Sequence, residues 1–196
     1  NLKLYVRPSD GRVLYLPWDA DFSKMATNFN VEGNADLQRI IAANPVWRRL
    51  FYGHLHDLIS TSYNTAYLTP WVNHLKTYNT AGGDWNEIIS YVAARAAYVT
   101  SDCNAKFPSV AFSITTNSGN NFSSNSALAT LAGNAWINVR DIRIQGSDVP
   151  LTVTWTGSTT WQVQVPLAQG AKPFVLEAIE YQGAVVGTDS IVITGT

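Results

Sequence analysis

The chain has 196 residues, enough for one large domain or two small ones that each bury a core. Hydrophobic residues make up 46% against 14% charged, and the formal net charge is −1, so the basic stripe that nucleic acid or an anionic membrane would demand is missing. No apolar run reaches the roughly 18 residues that span a bilayer, and no membrane span is expected.

From the N-terminus, LKLYV and RVLYLPW read as two strands. Pro8-Ser9-Asp10-Gly11 between them is rich in turn formers and predicts a hairpin. Helical periodicity follows. Asn34 is placed to cap a short helix beginning ADLQRIIAA. Pro45 occupies a first-turn position of a second helix, PVWRRLFYGHLHDLISTSY. On that helix Val46, Leu50, His54 and Asp57 share one stripe, and Trp47, Phe51, Leu55 and Leu58 the neighbouring one. A third helix is expected near TPWVNHLKTYN, with Pro70 in its first turn. After Gly82-Gly83 a fourth, DWNEIISYVAARAAYVTSD, carries Asp84 as cap and Glu87 three residues on.

From Pro108 the period changes to two. SVAFSIT, AWINVRDIRIQ, LTVTW, WQVQVPL, FVLEAIEY and VVGTDSIVIT alternate apolar and polar residues, separated by Gly and Asn clusters. About seven short strands in ~90 residues fit a small immunoglobulin-like sandwich without the Cys…Trp…Cys signature. The expected fold class is therefore α+β, with a mainly helical region 1–107 that opens on a β-hairpin and an all-β region 108–196. Lys106-Phe107-Pro108 marks the boundary. The first region holds 10 Lys/Arg, 9 Asp/Glu and all three histidines, so any chemistry is expected there.

Four features invite a functional reading. Asp19 and Asp21 stand two apart behind a strand, and on extended backbone such residues point to one side. They form either a turn bonded to local amides or a cation site, because paired carboxylates repel unless a cation, an arginine or a proton intervenes. His54, His56 and Asp57 lack the i,i+4 histidines of a zinc helix, and the simpler expectation is a His54–Asp57 pair. Trp136, Trp155 and Trp161 serve either as core and domain contacts or as an exposed sugar-stacking row. Cys103 stands alone, so no intrachain disulfide can form, and it reads as a small buried hydrophobe. The low charge and the many Asn, Thr, Ser and Trp residues fit secreted bacterial proteins.

The segment NLKLYVRPSDGRVLYLPWDADFS resembles the CotH-type kinases, spore-coat protein H and its relatives, in their pattern of an Asp-Gly-Arg/Lys hairpin followed by an apolar run and Pro-Trp-Asp-x-Asp-hydrophobic. RIIAANPVWRRLFYGHLHDLI and EIISYVAARAAYV match that family's following helices, so the resemblance covers about residues 1–105. The second half is similar to bacterial immunoglobulin-like modules through GNAWINVRDIRIQG and TVTWTGSTTWQVQVPLAQG. The resemblance implies an atypical kinase-like fold, magnesium with ATP as cofactors and a surface or coat protein as substrate. It also implies an extracellular or cell-surface location. Asp19 would be the metal-binding aspartate and Asp21 its support. The family's nucleotide-gripping lysine and catalytic aspartate lie N-terminal to this segment. The chain is therefore expected to be the C-terminal part of a longer kinase, inactive by itself. Two other expectations stand beside it: a non-enzymatic adhesion module whose sandwich contacts glycan or protein, and a structural element whose sheet edges self-assemble.

Overall fold

The computed structural model of the chain describes residues 2–17, 26–33, 35–78 and 84–196. It is a mixed α and β chain, as the change of period implies, and it divides into two compact units, Asn1–Asn30 and Val31–Thr196.

The first unit contains an antiparallel hairpin of β1 (Leu2–Val6) and β2 (Val13–Pro17), in register from Leu2↔Pro17 to Val6↔Val13. Asp10 builds its turn. Its carboxylate pairs with the Arg7 guanidinium and accepts a hydrogen bond from the Arg12 amide at 3.1 Å. Gly11 follows at φ +69°, a conformation that costs a residue without Cβ little.

The second unit begins with four helices. α1 spans Ala35–Ala42, and the expected cap Asn34 lies outside the described residues. α2 spans Pro45–Thr61 and starts as predicted at Pro45, with the Asn44 side chain accepting from the Val46 and Trp47 amides. α4 spans Trp85–Lys106, and Asp84 caps it by accepting from the Asn86 and Glu87 amides, both at 3.1 Å. α3 differs from expectation. It spans Thr65–Lys76, capped by Asn64, so Pro70 lies inside the helix rather than at its start. The Asn64 side chain accepts from the Tyr67 amide and begins the helix five residues before the proline expected to begin it.

Two four-stranded sheets follow. One has the order β4 (Phe122–Ser124), β10 (Val185–Gly195), β9 (Gly170–Glu180), β6 (Val139–Ile144). The other has the order β3 (Ser113–Ile114), β5 (Leu128–Asn134), β8 (Thr160–Pro166), β7 (Thr154–Trp155). Pairing is antiparallel except between β4 and β10. β8 alternates exposed and buried residues along its whole length, which places Trp161, Val163 and Val165 on the inner face. They meet Phe174, Leu176, Ile191 and Ile193 of the opposite sheet in one apolar core. Asp189 of β10 reaches across and accepts from the Ile114 amide at 2.7 Å, joining the sheets at one end.

The helices and the sandwich share the second unit. A smaller core of Tyr52, Cys103, Phe107 and Ile137 lies at the seam where α2 and the end of α4 meet the β5–β6 connection, and beside it Glu32, Arg48, Asp102 and Lys106 form a cluster of ion pairs.

Candidate functional site

The face that α2 buries most deeply at the seam lies outside both apolar stripes read from the sequence, although Phe51 and Leu55 of the second pack half-buried against it. Its buried residues are Arg49, Tyr52 and Gly53, spaced i, i+3, i+4, while Trp47, Leu50 and Leu58 are exposed. Gly53 allows the approach. A Cβ there would sit 2.7 Å from the Ile137 carbonyl oxygen and overlap the Tyr181 hydroxyl.

Among the described residues, Arg49 crosses the seam with no carboxylate partner. Nη1 donates to the carbonyls of Ala135 (3.0 Å) and Ser158 (2.8 Å), and Nη2 to those of Trp136 (2.6 Å) and Val139 (2.8 Å). The guanidinium lies 3.6 Å from the centre of the Trp155 ring. Burial brings its pKa down to about 10, which still leaves it charged at neutral pH. The planar fork suits this task, since a lysine ammonium cannot serve four carbonyls spread over two loops.

Beside it, the Tyr52 hydroxyl lies 2.9 Å from Glu32 Oε1 and 2.8 Å from Asp102 Oδ2, and it accepts from Lys106 Nζ at 2.7 Å. A phenol has one proton, so it donates to one carboxylate at a time. Arg48 donates to Glu32 at 2.9 and 3.0 Å, and Lys106 pairs with Asp102 at 2.8 Å, so two cations balance two anions. Burial pushes Glu32 up, but the Arg48 and Tyr52 hydrogen bonds and the Lys106 charge outweigh it and leave its pKa below the usual value. Burial and both carboxylates raise the Tyr52 pKa, so it stays a phenol. The cluster holds α2, α4 and the Glu32 segment together, and its groups are spent on one another rather than offered to a substrate.

The residues singled out from the sequence fare differently. Asp19 and Asp21 lie outside the described residues. His54 and Asp57 do not pair with each other. The His54 ring meets Tyr181 edge-on at 4.8 Å, and Asp57 Oδ1 accepts from Gln182 Nε2 at 2.9 Å. His56 packs edge-on against Trp136 at 4.9 Å. Among the described residues, no three His, Cys, Asp or Glu side chains gather as a metal-binding group. Cys103 is buried, and burial raises its thiol pKa to about 11, in keeping with a packing role.

Of the two readings of the tryptophans, core and domain contact holds for Trp161. Trp161 is fully buried and stacks on Phe112, with ring centres 5.5 Å apart. Trp155 lies beneath Arg49, and the Trp136 indole donates to the Phe107 carbonyl at 2.8 Å. Trp161 is thereby closed to any ligand, while Trp136 and Trp155 are half-buried.

Arg49, Tyr52 and Glu32 were not among the residues chosen from the sequence. The Asp102–Lys106 spacing of i,i+4 was readable as a helix pair, but its extension to Tyr52 and Glu32 was not.

No family model matches the chain, and neither does any curated protein. Among solved structures, it is similar to the endo-beta-1,4-mannanase from Thermotoga petrophila, at 10% identity over 54% of this chain and 24% of that one, with a TM-score of 0.37. A likeness that faint transfers neither fold nor activity.

Proposed function

We propose that this chain is the C-terminal part of a secreted or surface-attached bacterial CotH-like protein, a helical kinase C-lobe portion followed by an immunoglobulin-like spacer or docking module. The parent would be an ATP- and magnesium-dependent kinase acting on Ser or Thr of surface or coat proteins. In that reading Asp19 holds the metal that bridges the nucleotide phosphates, and Asp21 supports it. The lysine and the catalytic aspartate come from polypeptide outside residues 1–196.

The observation that best supports the reading concerns the helices. Trp47, Leu50, Tyr67, Trp71, Leu75 and Ile88 are all exposed, Trp71 at 54%. Helices that dock on a sandwich through Arg49 and Tyr52, yet leave such residues in solvent, are suited to packing on further polypeptide such as a catalytic lobe.

The test is a magnesium titration in the presence of ATP, followed by tryptophan fluorescence, since Trp18 adjoins Asp19 in sequence. A saturable response that is lost in Asp19→Ala and weakened in Asp21→Ala is expected. A wild-type chain that does not respond, or an Asp19→Ala chain that responds equally, would overturn the assignment. No phosphoryl transfer is expected from this chain alone, and autophosphorylation by it would refute the division of labour.

A further inference from the structure

A cleft of about 190 Å³ opens at the seam, between the last turns of α2 and the sandwich. From α2 it is lined by His56, Asp57, Ser60 and Thr61, which share one helix face. From the sandwich come Asn138, in the β5–β6 connection, and Glu180 to Gln182, where β9 turns toward β10. It is smaller than the roughly 300 Å³ at which pockets for drug-sized ligands begin, and its scale is that of one small ring.

Its polar groups are only partly committed. Among the described residues, neither the half-buried Glu180 carboxylate nor the half-buried Asn138 amide has a side-chain hydrogen-bond partner. Both groups still reach solvent, so water serves them in the free chain and the hydroxyls of a ligand can take its place. Ser60 and Thr61 donate their hydroxyl protons back to the His56 and Asp57 carbonyls at 2.8 and 2.7 Å, so their oxygens face the cleft as acceptors. Asp57 has one carboxylate oxygen held by Gln182 and a second still available. Burial lowers the His56 pKa more than Asp57 and Glu180 raise it, so the ring is neutral at pH 7 and provides one donor and one acceptor.

Donors (the Asn138 amide, the His56 N–H and the remaining Gln182 proton) therefore line the same small cavity as acceptors. A lone ammonium could use only the acceptors and would leave the amide protons unmatched. A hydroxyl both donates and accepts, and a ring bearing several hydroxyls can serve such a mixed lining. We propose that this cleft binds a single neutral saccharide residue, as on a surface glycan, with Glu180 and Asn138 as its main hydrogen-bonding partners. The assignment stands apart from the kinase reading, since it uses neither Asp19 nor Asp21, and either can fail alone.

The test is an amide NMR titration of the full chain with glucose, galactose, mannose, N-acetylglucosamine and N-acetylgalactosamine, to about 50 mM, where millimolar affinities saturate. At least one sugar is expected to shift resonances of residues 56–61, 138 and 180–182 saturably. Glu180→Gln should weaken that binding about tenfold or more. Ser60→Phe, at an exposed helix position that can be filled without disturbing the core, should abolish it. Gln164→Ala, on the outer face of β8, should leave it unchanged. The proposal is overturned if no sugar produces saturable shifts there, or if both cleft variants bind as the wild type does. It is also overturned if only calcium or n-butylammonium shifts these residues, which would make the cleft a cation site.

Discussion

The sandwich core and the helix–sandwich seam are both buried, and they are built by opposite means. Between the sheets the buried set is almost purely apolar: Leu131, Val163, Phe174, Leu176, Ile191 and Ile193 leave no charge to satisfy. At the seam α2 buries an arginine, a tyrosine and a glycine, and holds by directed hydrogen bonds to backbone carbonyls of two loops. A nonpolar core tolerates substitutions that keep its volume, because dispersion and hydrophobic burial are not directional. A polar seam tolerates few, because each group removed leaves its partner unsatisfied in a dry place. The helices and the sandwich of this unit are joined by the directed hydrogen bonds of Arg49 together with the small core around Tyr52.

Arg49→Met should break the comparison hardest. The methionine keeps much of the stem but leaves four carbonyls without their donor, at a cost of about 3–5 kcal/mol. Chemical denaturation followed by helical circular dichroism and by tryptophan fluorescence should give coincident transitions in the wild type, where the seam couples both parts. In the variant the helical signal should melt first. Coincident, unshifted transitions in the variant would show that the seam contributes little.

Gly53→Ala comes second. On an exposed helix this change stabilises by up to about 1 kcal/mol. Here the new methyl meets the Ile137 carbonyl and the Tyr181 hydroxyl, and the expected result is destabilisation by about 1–3 kcal/mol. A rise in melting temperature would mean that α2 does not approach the sandwich so closely.

The smallest effect is in the pH profile. Burial depresses His56 below its usual 6.5, so the unfolded chain binds the proton more readily. The stability it contributes is present above about pH 6.5 and is lost as pH falls through the folded value. Glu32, depressed below its usual 4.5, adds a second loss that begins near pH 4.5 and deepens on further acidification. His56→Phe should remove the first step and keep the second, and Glu32→Gln the reverse. Calorimetry across pH 3–8 reads both, and a profile flat from 7 to 5 in the wild type would contradict the His56 assignment.

The predicted strands that survived best are those with bulky β-branched alternation, such as WQVQVPL and VVGTDSIVIT, because that pattern is itself the packing requirement. β5 was missed. LATLAGN has little β propensity, and its Gly133 is explained by tertiary neighbours, since the Ser113 carbonyl oxygen and the Trp161 indole occupy the space a Cβ would need. SVAFSIT, read as a whole strand, forms a ladder only at Ser113–Ile114. Asp84, Asn44 and Pro45 began their helices as local rules require, whereas Pro70 misled because Asn64 offered an earlier cap.

Local sequence alone fixes what depends on near neighbours: the mixed helix-then-strand order, the hairpin turn at Asp10-Gly11, the first-turn proline of α2, the cap of α4 and the alternation along β8. Only the tertiary structure decided which face of α2 is buried. An arginine becomes a core residue only when four carbonyls from residues 86 to 109 positions away converge on it, and no local periodicity encodes that convergence. The same holds for the cleft beside it, where Asp57 meets Gln182 across 125 residues of chain. Propensity and spacing act over a few residues, and the chemistry of this seam is assembled over a hundred.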